Sequence, residues 1–268
     1  MLTRVLCALG LVAALPTLGM AQDFDDVIAA RVLPGWTLPS GDRMAGIELT
    51  LAEGWHTYWR TPGDAGIPPV FGWQGSRNIA ELQISWPTPE VYDQNGMRSI
   101  VYHNRVVLPV RIAARDADAP VRLRGTVDLG VCDDICIPKS ITFDAELPPG
   151  SAKPDPRIVS ALAAIPYSGN EVGARGVTCT LSPASRGIAL RAEISVPSAG
   201  GPEVVVIETD NPNLWIAEAQ TQRHGDVLVA ETRLEHVEGA SFAVSRSGLR
   251  FTVLGARHAV DIRGCTAK

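Results

Sequence analysis

Apolar and polar residues alternate along much of this chain, with the period of a strand and not of a helix. The clearest runs are residues 100–112 (IVYHNRVVLPVRI), 121–129 (VRLRGTVDL) and 141–147 (ITFDAEL). A period of two sends successive side chains to opposite faces, so each run predicts a half-buried strand. Residues 44–51 (MAGIELTL) predict another. Pro- and Gly-rich stretches at 33–35, 38–41, 61–64 and 66–69 punctuate the strands. No long run has a 3.6-residue period, and short strands at this spacing predict an antiparallel sandwich.

The pattern breaks at residues 147–156 (LPPGSAKPDP), which have linker composition. Asp155 suits an N-cap and Pro156 the first helical position, so 157–165 predict a short helix that Pro166 stops. Strands resume at 188–196, 203–209, 227–234, 249–254 and 258–263. Their order echoes the first half: LRAEI at 190–194 resembles IELTL at 47–51, and 215–232 align with 90–110. A degenerate duplication would explain the echo. The expected architecture is all-β: one sandwich over 22–150, a linker with a short helix over 151–168, and a second sandwich over 169–268.

Composition narrows the class. Arg4, an apolar run over 5–19, and small residues at Gly19 and Ala21 before Gln22 make a signal peptide over 1–21. An uncleaved anchor is the alternative, but spanning needs about 20 apolar residues and Pro16 sits badly in it. Export through a cleaved leader predicts a periplasmic protein without stable membrane insertion. Removing Arg4 leaves the chain one unit more acidic than its net charge of −5. With no Lys/Arg cluster, nucleic acid and anionic membranes are poor partners.

Of five cysteines, Cys7 leaves with the leader. Cys132, Cys136, Cys179 and Cys265 remain in a compartment where disulfides persist. Four cysteines allow three connectivities, and the spacing favours Cys132–Cys136 with Cys179–Cys265. Extended, Cα atoms four residues apart lie about 13 Å from each other, and a disulfide needs roughly 4.4–6.8 Å. The chain must therefore fold back between Cys132 and Cys136, at a loop or hairpin end. So short a loop adds little stability, which suits exchange chemistry. Asp133 and Asp134 disfavour a thiolate and suggest a reducing couple. Two other readings stay open: an inert hairpin staple, or a soft metal site with His56 or His103. Cys179–Cys265 closes roughly 85 residues and reads as structural, contributing about 4–5 kcal/mol in the chain-entropy model.

Trp55, Tyr58 and Trp59 read as a packing cluster or, alternatively, an aromatic wall beside the thiols. His56 and His103 read as surface or capping residues, able to assist proton transfer only if they face the pair. Asp64 reads as a turn residue. Ser/His/Asp arrangements, phosphate loops and paired carboxylates are missing from the motifs, so hydrolase and nucleotide chemistry have no support.

Three ordered segments resemble a known family. Residues 54–69 (GWHTYWRTPGDAGIPP), 91–110 (VYDQNGMRSIVYHNRVVLPV) and the Cys132…Cys136-Ile-Pro motif are similar to the N-terminal periplasmic domain of the DsbD and ScsB transmembrane disulfide reductases. The second half resembles the longer ScsB-like and stand-alone members, described as cytochrome c biogenesis proteins. The resemblance implies immunoglobulin-like sandwiches and a thiol–disulfide relay with no cofactor and no resident metal. Electrons would come from a thioredoxin-like domain or a membrane DsbD/CcdA-like donor and pass to oxidised, disulfide-bearing periplasmic clients. By the resemblance, Cys136 forms the mixed disulfide and Cys132 resolves it. Tyr92, Asp93, Gln94, Asn95, Gly96 and Met97 form a cap that shields the pair, and Tyr58 lines the site. The cysteine spacing is shorter than in the best-known members, and the cap lacks the usual tip aromatic, for which Asn95 or Met97 substitutes. The membrane and C-terminal thioredoxin-like parts are absent. The rival reading is an exported, non-catalytic binding module with inert disulfides, serving copper handling or cytochrome assembly. A copper protein would lose Cu(I) uptake in Cys132→Ser.

Overall fold

The structure, a computed structural model, describes residues 26–268 except 65, 95, 151 and 152. The leader expected at 1–21 and Asn95 therefore lie outside the described residues. The first half contains β1 (Ile28–Thr37), β2 (Arg43–Leu51), β3 (His56–Tyr58), β4 (Val70–Gly72), β5 (Ile79–Ile84), β6 (Glu90–Gln94), β7 (Met97–His103), β8 (Arg105–Ala114), β9 (Val121–Cys132) and β10 (Cys136–Leu147). They form a four-stranded sheet, β1-β2-β8-β5, and a six-stranded sheet, β10-β9-β3-β7-β6 with β4 also on β9. Alternate side chains of both sheets meet in one core that includes Ile47, Leu49, Trp59, Leu108, Leu123 and Val131. The fold is all-β, of immunoglobulin-like sandwich type.

Residues 100–112, which the alternation presents as one strand, are two strands in different sheets. The break is Asn104, with φ of 58°. Asn tolerates this left-handed region better than most residues, and its carbonyl accepts from Leu51 N at 2.7 Å. The chain thus turns a sandwich corner between β7 and β8. Hydrophobic alternation does not register a corner that keeps both flanking strands half-buried.

Helix α1 (Pro156–Ala163) starts as expected: Asp155 accepts from Arg157 N at 2.9 Å and Pro156 opens the first turn. It ends two residues before Ile165. It also does more than link, because Ile158 is fully buried with Leu33, Met44 and Val107 on the outer face of the four-stranded sheet. Burying such a side chain contributes about 1.5–3 kcal/mol.

The second half contains β11 (Tyr167–Ser168), β12 (Gly176–Pro183), β13 (Ile188–Ser195), β14 (Val204–Glu208), β15 (Leu214–Ile216), β16 (Gln220–His224), β17 (Val227–His236), β18 (Arg250–Leu254), β19 (Ala259–Arg263) and β20 (Thr266–Ala267). Its connectivity repeats that of the first half. The ladder β12-β13-β17 mirrors β1-β2-β8, and β14-β18-β19 mirrors β3-β9-β10. The segments 47–51 and 190–194, alike in sequence, thus sit at equivalent places in β2 and β13. Where β9 and β10 end in Cys132↔Cys136, β18 and β19 end in Leu254↔Ala259. Val205, Ile207, Phe251 and Val253 point into the second core, while Val204, Val206, Leu254 and Ala259 join the hydrophobic cluster of the first half. The face that carries cysteines in the first copy serves as a docking face in the second.

Candidate functional site: the Cys132–Cys136 hairpin end

Strand register builds this site. The β9–β10 ladder runs from Val121↔Leu147 to Cys132↔Cys136. Along β9, Val127, Leu129 and Val131 enter the core, so the period of two sends Asp128, Gly130 and Cys132 to the outer face. The closing pair is a disulfide with Cα atoms 4.1 Å apart. Cys132 is 1% exposed, whereas Cys136 and the turn residues Asp133, Asp134 and Ile135 are exposed. One cysteine is thus exposed at the hairpin end and the other is sheltered.

The shelter comes from neighbouring strands. β3 pairs with β9 at His56↔Cys132 and with β7 at His56↔His103 and Tyr58↔Val101. Directly opposed residues share a face, so His103, His56, Cys132 and Cys136 form one row across four strands. Tyr58, two residues from His56, shares that face. Its Oη lies 3.0 Å from Cys132 Sγ and 3.5 Å from Cys136 Sγ. Disulfide sulfurs carry no hydrogen, so the hydroxyl donates. Burial pushes the Tyr58 phenol above its ordinary pKa, which keeps it protonated as a donor. Trp59, the next residue, points the opposite way and is fully buried in the core. The aromatic cluster read in the sequence therefore splits between core and site.

Gly130 makes room for this arrangement. A Cβ there would lie 2.7 Å from Ile67 Cβ and 3.2 Å from Tyr58 Cε2. Sequence reading passed over both Gly130 and Ile67. The available signal was a glycine inside an alternating strand, which often marks close approach by another group.

The expected cap is the β6–β7 hairpin at the sheet edge. Tyr92, Asp93 and Gln94 lie in β6, Gly96 turns with φ of 80°, and Met97 opens β7. Gly96 N donates to Asp93 Oδ1 at 3.2 Å. Tyr92 packs against the cluster of Tyr58, Val101 and Cys132. Met97 is 57% exposed. Through Tyr92 the hairpin packs against the Cys132 side of the pair.

His56 also departs from the surface role read in the sequence, being 3% exposed. Its ring lies 5.5 Å from Tyr58, 5.1 Å from Tyr92 and 5.5 Å from His103, centroid to centroid. Burial lowers its pKa from 6.5, His103 lowers it further, and the Asp133 charge opposes both. At neutral pH it is a neutral imidazole. His103 Nδ1 in turn lies 3.1 Å from Glu90 Oε2 at the rim.

The model of the family described as "Thiol:disulfide interchange protein DsbD, N-terminal" matches residues 29–156, a span that contains every group just described. This segment is a domain of the DsbD N-terminal family. That family is one of thiol–disulfide interchange, and its match includes the Cys132–Cys136 pair. Among solved structures, the N-terminal periplasmic domain of ScsB from Proteus mirabilis is similar at 20% identity and a TM-score of 0.67, over 90% of this chain and 92% of that one. At that identity the likeness speaks for the fold alone, and it runs through both halves. The Neisseria meningitidis DsbD N-terminal domain in its reduced form aligns at 19% identity over 41% of this chain and 82% of that one, with a TM-score of 0.26, and carries no argument. Among curated proteins, none matches this chain.

The second half buttresses the DsbD-type site. Ile67 belongs to the segment after β3 that begins at Arg60, whose guanidinium donates two bonds of 2.8 Å to Glu208 on β14 and stacks 3.7 Å over Trp59. Arg98 pairs with Glu218 at 2.5 Å across the same junction. Gly63, with φ of 87°, lies so close to Arg98 that a Cβ would sit 2.6 Å from its carbonyl oxygen. Asp64 follows in this turn. The other disulfide, Cys179–Cys265, spans 86 residues with Cα atoms 5.8 Å apart and ties β12 to the chain end beside β20. Among the described residues, no helix is long and apolar enough to cross a membrane, and no group of three or more His, Cys, Asp or Glu is disposed to hold a metal ion.

Proposed function

We propose that this chain is a periplasmic thiol–disulfide interchange protein that reduces disulfide-bearing clients through Cys132 and Cys136. In this reading residues 1–21 are a cleaved leader, 22–150 the redox domain, 151–168 the linker and 169–268 a supporting domain. A thioredoxin-like domain or a membrane DsbD/CcdA-like donor opens the disulfide at Cys136. The resulting dithiol attacks a client through Cys136, and Cys132 displaces the client. Tyr58 and Tyr92 wall the site, and the 92–97 hairpin is the cap over its buried side. Cytochrome c maturation and copper or oxidative-stress tolerance are the client settings this reading favours.

The observation that carries the reading is the unequal exposure of the two cysteines, Cys132 buried and Cys136 exposed. An inert staple gains nothing from an exposed cysteine beside a buried one with a positioned hydroxyl donor. Interchange requires an accessible sulfur for the partner and a sheltered one that can be protected until needed. The test is the reduction potential of the pair, from glutathione or dithiothreitol equilibration read by mass spectrometry. A value of roughly −200 to −280 mV, with Cys179–Cys265 remaining oxidised, is expected of a working relay. Resistance to reduction until the protein unfolds would establish a structural staple and favour a binding module.

A further inference from the structure

Neighbouring strands line up two histidines, which the interchange scheme above leaves unused, with the resolving cysteine. His103 on β7, His56 on β3 and Cys132 on β9 are directly opposed in register and share a face. Opposed residues hold their Cβ atoms about 4.5–5.5 Å apart, which puts the imidazole of His56 within reach of a reduced Cys132 sulfur. Resting on the interchange reading, we propose that His56 is the base that takes the proton of Cys132 in the resolving step, and that His103 with Glu90 passes it to solvent.

The chemistry calls for a base at this point. With a client joined to Cys136, Cys132 is a buried thiol, and burial without a positive neighbour raises a thiol pKa. Tyr58 is a protonated donor and cannot accept the proton. As Cys132 Sγ bonds to Cys136 Sγ, the bond from Cys136 to the client sulfur breaks and the electron pair leaves on the client thiolate. The proton of Cys132 moves to the His56 imidazole. The cysteine pair is oxidised by two electrons and the client disulfide is reduced by two.

The surroundings fit the role. The groups facing His56 are Tyr58 on its own strand, Tyr92 from β6, His103 from β7, Cys132 from β9 and Asp133 from the following turn. The buried imidazole is neutral and ready to accept at neutral pH. Asp133 favours the imidazolium once formed. Glu90, with its side chain 68% exposed, bonds His103 at the water's edge.

The test uses the full chain, reduced at the Cys132–Cys136 pair, mixed with 5,5′-dithiobis(2-nitrobenzoate) in a stopped-flow instrument. Attack by Cys136 releases one coloured thiolate, and resolution by Cys132 releases the second. His56→Gln is expected to leave the first phase within about twofold and to slow the second about 100-fold at pH 7, as loss of a general base does. The second phase of the unaltered protein should level off by pH 7, whereas that of the variant keeps rising toward thiol ionisation above about 8.5. An unchanged second phase and pH profile in the variant overturns the proposal. Because the variant can fail to fold, the unaltered protein supplies its own check. Its second phase must lose rate as pH falls through the His56 titration followed by NMR in the same protein. A rate that instead tracks a group ionising above pH 8 overturns the role. Absence of any second release in the unaltered protein counts against interchange itself, which separates the two failures.

Discussion

Replacing Tyr58 by Phe removes one hydroxyl and leaves the ring that packs beside the pair. The hydroxyl sits 3.0 Å from Cys132 Sγ, and both residues are almost fully buried, at 3% and 1% exposure. Water therefore has little access to replace the lost donor. In the oxidised protein the cost is small, since a disulfide sulfur is a weak acceptor and its loss leaves no strong polar group unpaired. In the reduced protein a Cys132 thiolate loses a charge-assisted hydrogen bond, about 1.5–3 kcal/mol. At 1.36 kcal/mol per pH unit, the Cys132 thiol pKa should rise by about one to two pH units. The sign follows from the donor, which stabilises the thiolate, so removing it favours the thiol. The assay is the pH dependence of iodoacetamide alkylation of Cys132 in a Cys136→Ser background, with and without Tyr58→Phe. An unchanged or lowered pKa refutes the reasoning, because it would mean that the hydroxyl does not reach the reduced sulfur.

Gly130→Ala should destabilise the oxidised protein by about 1–3 kcal/mol in urea titration, because the new Cβ meets Ile67 and Tyr58 at 2.7 and 3.2 Å. Removing Cys179–Cys265 should cost about 4–5 kcal/mol and removing Cys132–Cys136 only about 2, as the 86- and 4-residue separations imply; equal losses in calorimetry would contradict the loop-entropy argument. Among the described residues, Arg60→Ala leaves Glu208 with the more distant Arg250, 3.9 Å away, and should cost about 1–3 kcal/mol. A double-mutant cycle with Glu208→Gln measures the coupling, and a coupling near zero would show that the junction draws nothing from this pair. Stability should fall as pH drops below about 6.5, because the unfolded chain takes up a proton at residue 56 that the folded chain resists; denaturation series on His56→Phe should show a flatter limb in that window.

Much of the fold was legible because it rests on local repetition. The runs at 121–129 and 141–147 lie within β9 and β10, and Asp155-Pro156 marked the start of α1 within a residue. The misreadings have one cause. Asn104 splits a continuous alternating run because a corner between sheets keeps the same alternation on either side. Residues 157–165 read as a linker because nothing local shows that Ile158 meets Leu33, Met44 and Val107. His56 read as a surface residue because its burial is supplied by Tyr92 and His103, far along the chain. The place of the 92–97 segment beside Cys132 depends on β6 lying at the sheet edge, which no local pattern shows.

The sequence by itself determined the long alternating strands such as β9 and β10, the family resemblance of the first half, and the favoured pairing of Cys132 with Cys136. Each follows from spacing along the chain: a period of two, a set of ordered motifs, or three residues between thiols. Only the tertiary structure decided which sulfur is buried, which tyrosine hydroxyl faces it, and which histidine stands opposite it. Those facts depend on register between β3, β7, β9 and β10, whose segments are up to about 80 residues apart. A one-residue slip in the β3–β9 ladder would send His56 and Tyr58 to the core side and leave Cys132 without either neighbour. The alternation fixes two faces per strand, and packing of one face into the core selects the register that assembles the row on the other.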